Sequence, residues 1–218
     1  YLFTSLLFTY TFLIIDGYYQ FFNGVNLFGN VYNNIRLTGP FGNHYVLGSF
    51  LVRFYPILVG LFVLTFQKNY FILFILFLYL VLIDVLIYIS GERTAFFYLI
   101  FSTILIIIFI KRWLVLRLFS FIISIIIISI ITFSSDNVKN RMIDATISQM
   151  NLNPKQTEEK REIVIFTPDH TAFYKTSYEI LKKNIFFGIG PKMYREECKK
   201  AYLKKFNSCS SHPHNTYM

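Results

Sequence analysis

The chain has 218 residues, of which 55% are hydrophobic and 20% aromatic, with a mean hydropathy of +0.50 and a net charge of +9. A soluble domain of this length has no core large enough to hide that much Phe, Ile and Leu, which excludes an ordinary water-soluble globule and points to an integral membrane protein. The charge is segregated: from Ser134 onward there are 14 Lys/Arg against 9 Asp/Glu, while the first 133 residues hold 7 and 3.

The chain opens inside an apolar run and carries no signal-peptide pattern, so it reads as an internal fragment of a longer membrane protein, with spans missing at one or both ends. A bilayer core about 30 Å thick requires about 20 helical residues. Residues 1–15 read as the tail of a span, and four further spans are expected at about 46–66, 71–88, 95–110 and 118–133. The expected fold is therefore an all-α, multi-span membrane protein. Residues 1–133 form its transmembrane part, and 134–218 form one large, partly helical loop.

Basic residues in short loops set the orientation. The turn "KRWLVLR" carries Lys111, Arg112 and Arg117, and "QKNY" carries Lys68, so both are expected on the cytoplasmic side. Alternation then places three segments outside: Asp16–His44, the turn "SGERT" at Ser90–Thr94, and everything after Ser134. Cys198 and Cys209, the only cysteines, both fall in the last of these. On the oxidising side of a membrane a disulfide between them is favoured over two free thiols.

Several outward-facing residues can carry chemistry. Arg93 begins a span beside the small residues Ser90 and Gly91, which let an anion approach the backbone, and its planar fork of donors suits phosphate. The plainer reading is an interfacial arginine paired with Glu92. Arg36 precedes a Gly/Pro-punctuated turn that leads the chain back into the membrane, and a turn that only orients the next span explains it as well. Arg53 falls about two turns inside the following span, where an ionisable group marks function or snorkels outward, and Asp84 lies within the next one. In the large loop, Thr171–Asn184 has helical spacing, with a Glu179/Lys183 pair at i,i+4, and "GIGPKMY" follows as a glycine turn.

His212 and His214 bracket Pro213 near the end of the sequence. Such a pair can contribute to a zinc site, which needs a third ligand. A neutral histidine can equally act as a general base near pH 7 toward a sugar hydroxyl. No Asp-x-Asp pair exists to hold a metal–nucleotide complex.

Four segments, "RLTGPFGNHYVLGSFL", "SGERTAFFYLI", "KNIFFGIGPKMY" and "HPHNTY", occur in an order and spacing that resemble the O-antigen ligase and O-antigen polymerase superfamily. The resemblance implies a helical glycosyltransferase of the bacterial inner membrane with its large loop in the periplasm. Such an enzyme moves a glycan from a polyprenyl (undecaprenyl) diphosphate carrier to an acceptor sugar such as lipid A-core, using no metal, nucleotide or other cofactor and no nucleic acid. It further implies that Arg93 binds the carrier diphosphate and that His214, followed by Asn215, is the catalytic residue. A second family arginine in the large loop falls nearest to Arg161, with Arg195 another candidate and His170 in the equivalent region. Arg36 is counted with the diphosphate ligands, and His212, His170 and Arg53 as supporting residues. Polymerase and protein O-oligosaccharyltransferase activities belong to the same superfamily. Outside it, a transporter or a non-catalytic envelope protein also fits a chain of apolar spans.

Overall fold

The computed structural model describes residues 1–65, 70–150, 168–185, 188–190 and 193–200. The chain divides into two compact units, Tyr1–Ile143 and Asp144–Met218.

The first unit is a bundle of five long helices: α1 (Leu2–Asn23), α2 (Leu47–Thr65), α3 (Tyr70–Ile89), α4 (Arg93–Phe109) and α5 (Leu114–Ser134). Four of them, α1, α2, α3 and α5, are long and apolar enough to cross a membrane. At 1.5 Å per residue, the 17-residue α4 rises about 25 Å. Among the described residues there is no β-strand, only an isolated Val25–Val31 bridge. The all-α membrane architecture expected from the sequence is the one observed.

The most apolar helix, α3, sits at the centre and packs against α1, α2, α4 and α5. Its C-terminal half, Leu80–Ile89, is almost wholly buried, whereas Phe71, Phe74, Ile75 and Leu78 near its start are exposed. Exposed Phe and Ile side chains also cover much of α4 and α5. This is the pattern of a bundle solvated by lipid, where burying apolar surface confers no advantage over leaving it in the acyl chains. Helix α2 contains Pro56, which leaves the Val52 carbonyl without its helical donor. The Tyr10 hydroxyl donates to the neighbouring Leu51 carbonyl and ties α1 to α2 there.

Two sequence expectations are corrected. Helix α1 does not stop at residue 15 but continues to Asn23, where Gly24 caps it in the left-handed conformation. Asp16 and Gln20, both fully buried, lie on this extension and hold the following loop. Asp16 accepts from the Leu27 amide at 2.9 Å, and Gln20 Oε1 accepts from the Thr38 and Gly39 amides at 3.1 and 2.9 Å. Arg117, expected in a solvent-facing turn, lies inside α5 with a side chain only 2% exposed. It forms an ion pair at 2.6 Å with Asp84 of α3, a residue 33 positions away in sequence. Ser124 donates to the same carboxylate at 3.1 Å, Thr103 of α4 accepts from the guanidinium, and Tyr55 of α2 stacks on it at 5.2 Å. Four helices meet at this polar cluster, where each charge has a counter-ion that lipid would not supply, although Arg117 Nε finds no hydrogen-bond partner among the described residues.

Beyond α5 the chain forms α6 (Asp136–Lys139), followed by a π-helical turn at Asn140–Asp144. The second unit contains α7 (Ala145–Gln149), α8 (Pro168–Lys183) and α9 (Tyr194–Glu197). In it Ile180, Tyr194 and Cys198 form a small buried cluster with Ile189 against it. Helix α8 matches the helical spacing seen in the sequence, and Glu179 pairs with Lys182 at 3.5 Å.

Candidate functional site

The turn between α3 and α4 organises one end of the bundle. Gly91 has φ +77°, a conformation that side-chain-bearing residues rarely adopt. A Cβ there would stand 2.5 Å from the Ile35 carbonyl oxygen and 3.2 Å from Arg36 Cγ. The loop after α1 therefore lies directly on this turn, and the Leu37 amide donates to the Ser90 carbonyl at 3.2 Å. Upstream, Asn33 Oδ1 accepts from the amides of Ile35 and Arg36, both at 3.1 Å, in a local side-chain turn through Asn34 at φ +61°. These contacts fix the backbone of Arg36, whose guanidinium lies 5.7 Å over the ring of Tyr45.

Glu92 reaches across to the start of α2. Its carboxylate accepts from the Gly48 amide at 2.7 Å, the Ser49 amide at 3.3 Å and the Ser49 hydroxyl. It thus caps the start of α2, where unpaired amides and the helix dipole favour an anion. Glu92 is buried in that role. Arg93 follows it as the first residue of α4, half-buried.

Arg141 completes the group. Its Nε–H donates to the Gly91 carbonyl at 3.2 Å. Arg36, Arg93 and Arg141 are each half-buried around one glycine. Their charges act on one another. Burial lowers the pKa of Arg93 and repulsion from Arg36 lowers it further. Burial, then Arg36 and Arg93, lower that of Arg141. Arg93 and Arg141 stay protonated at neutral pH nonetheless, because an arginine titrates far above it. Three half-buried guanidinium groups whose charges act on one another form an electropositive cluster, a chemistry suited to a phosphate-bearing ligand.

Of the residues singled out in the sequence, the structure brings Arg36 and Arg93 together. Arg53 lies exposed on α2, with no ion pair among the described residues. His170 is in the first turn of α8, and Arg195 is in α9. Arg161, Cys209, His212, His214 and Asn215 lie outside the described residues. Cys198 is buried in the second unit. No group of three metal-ligating side chains occurs among the described residues.

Arg141 was not among the sequence candidates, yet a signal for it exists. It follows the fifth helix by seven residues, on the side opposite the basic turns that set the orientation. Basic residues close to a membrane surface on that side run against the usual bias and call for an explanation.

No curated protein and no solved structure matches the chain. A family model described as O-antigen ligase matches residues 76–218, about two thirds of the sequence, including Arg93, Arg141 and the His-Pro-His-Asn segment. The chain therefore belongs to the O-antigen ligase family.

Proposed function

We propose that the protein is a membrane glycosyltransferase that moves a glycan from a polyprenyl diphosphate carrier, of the undecaprenyl type, to a hydroxyl of an acceptor such as lipid A-core. The reaction takes place at the periplasmic face of the bacterial inner membrane. The observation that carries this reading is the meeting of Arg36 and Arg93 beside Gly91 at one end of an apolar helix bundle, in a chain of this family.

The chemistry follows from those groups. The acceptor oxygen attacks the anomeric carbon of the carrier-linked sugar, forming a new C–O bond. The bond from that carbon to the diphosphate oxygen breaks, and the electron pair leaves with the polyprenyl diphosphate. The guanidinium groups of Arg93 and Arg36, with Arg161 from the large loop, stabilise the negative charge that develops on the leaving group. His214 takes the hydroxyl proton as general base. Asn215, His212 and His170 support this region, and a Cys198–Cys209 disulfide holds the segment that carries His214. The residues in these roles require no metal or nucleotide. Polymerase and protein-glycosylating activities use the same steps with a different acceptor, so the acceptor assay distinguishes them.

Steady-state kinetics of the full-length protein, reconstituted with carrier-linked glycan and acceptor, test the diphosphate role. Arg93→Lys keeps the charge and loses the planar fork. It is expected to lower kcat/KM for the carrier substrate by roughly 10²-fold, the scale of losing one transition-state donor. An unchanged carrier dependence would remove Arg93 from the site.

A further inference from the structure

We infer that Arg141 is a third ligand of the carrier diphosphate, completing with Arg36 and Arg93 a three-arginine anion site around Gly91. This rests on the reading of Arg36 and Arg93 as diphosphate ligands.

Three independent observations carry it. The first is geometric. Among the described residues Arg141 spends only its Nε–H, donating it to the Gly91 carbonyl at 3.2 Å. That bond anchors the guanidinium beside the turn that leads into Arg93 and against which Arg36 lies. Both terminal nitrogens, four N–H donors, make no hydrogen bond or ion pair with the described residues. An arginine pinned through Nε with its fork unspent is arranged to grip an oxyanion in bidentate fashion.

The second observation is the backbone. Arg141 is carried on a five-residue π-helical turn, Asn140–Asp144, which follows the single α-helical turn of α6. A π turn is rare and occurs mostly as a single turn within helical segments, frequently at functional sites. Met142, on the same turn, is buried against the bundle and holds it there.

The third is electrostatic. Burial, and then Arg36 and Arg93, act unfavourably on the charge of Arg141. An anion bound by Arg141 would offset both the burial and the repulsion. A diphosphate linking a lipid to a sugar supplies one negative charge on each of two phosphoryl groups, and three guanidinium forks supply enough donors to meet their oxygens from different sides.

A purely structural Arg141 would clamp the α6 segment to the α3–α4 turn and do nothing else. The two roles separate by binding measurements on the full-length protein in detergent micelles. The probes are farnesyl diphosphate and its neutral counterpart farnesol, used with Arg141→Gln, Arg141→Lys and Arg93→Gln, each checked by its melting temperature. Loss of one charge-assisted bidentate contact is expected to weaken farnesyl diphosphate binding by Arg141→Gln roughly 10- to 100-fold, with farnesol binding unchanged. Arg141→Lys should recover only part of that loss. If Arg141→Gln binds farnesyl diphosphate like the wild type while Arg93→Gln is weakened, Arg141 is a clamp; the inference is then wrong and the proposed function stands. If neither variant is weakened, the carrier site itself is wrong and the inference falls with it. Should Arg141→Gln fail to fold, the wild-type protein answers the same question through arginine modification by phenylglyoxal, read by mass spectrometry. Protection of Arg141 by farnesyl diphosphate and not by farnesol supports the inference, and equal modification with and without the diphosphate overturns it.

Discussion

Replacing Asp84 by Ala would remove the buried carboxylate that faces Arg117 and leave Arg117 in place. Arg117 bonds to both carboxylate oxygens, at 2.6 and 3.3 Å, and Ser124 adds a third bond at 3.1 Å. Both side chains are essentially inaccessible, at 2% and 0% exposure. Two opposite unit charges about 4 Å apart attract by about 4 kcal/mol at an effective dielectric of 20. An arginine left alone at this depth faces an insertion cost of about 2.5–3.5 kcal/mol, moderated by snorkelling. Asp84→Ala is therefore expected to destabilise the folded bundle by about 3–5 kcal/mol, the range for breaking a buried pair by removing one partner. Removing both charges with residues that fill the space, Asp84→Leu with Arg117→Met, should cost far less, because the desolvation penalty goes with the charges. The assay is equilibrium unfolding in mixed micelles for the wild type, both single variants and the double variant. The reasoning predicts a coupling energy of about 2 kcal/mol or more between the two sites. Additive single-variant losses, with coupling under about 0.5 kcal/mol, would refute the claim that the pair holds the helices together.

Two other substitutions test how the arginine cluster is positioned. Gly91→Ala puts a methyl group 2.5 Å from the Ile35 carbonyl oxygen at a positive φ. Strained positions of this kind cost about 1–3 kcal/mol each, so the variant should melt earlier and lose carrier affinity, because the loop bearing Arg36 must lift away; wild-type affinity would show that the contact does not matter to the site. Glu92→Ala removes the acceptor shared by the Gly48 and Ser49 amides and the Ser49 hydroxyl. A loss of about 1–2 kcal/mol is expected, with faster hydrogen exchange confined to the start of α2. Unchanged exchange there would mean that water replaces the carboxylate without cost.

The all-α membrane fold was legible in the sequence because lipid imposes a simple demand on apolarity, and the long runs of Ile, Leu and Phe meet it. Where the reading failed, a distant partner had changed the meaning of a polar residue. Asp16 looked like the end of a span. It is instead a buried anchor inside α1, since Leu27 and Asn26 come back to satisfy it. Arg117 looked like a loop charge because it follows Lys111 and Arg112, but Asp84 draws it into the bundle. No local pattern announces a contact between residues 33 positions apart in sequence. Arg36 and Arg93 were recognisable as individual candidates, but their proximity depends on the absence of a side chain at Gly91. Arg141 depends on a π turn, which leaves no periodic trace in a sequence. The histidine cluster shows the limit of the other kind: its proposed role comes from a motif and from elementary acid–base chemistry, and its test is functional.

That test is the most direct one available for the whole account. The full-length gene and its His214→Ala variant would be expressed in cells that make polyprenyl-linked glycan but lack their own ligase, with lipid A-core examined by gel for attached glycan and membranes checked for inserted protein. The account predicts glycan on lipid A-core with the wild type, and none with an equally well inserted His214→Ala variant. Equal transfer by the two proteins would contradict it, because the histidine would then be structural and the acceptor hydroxyl would be activated by some other group.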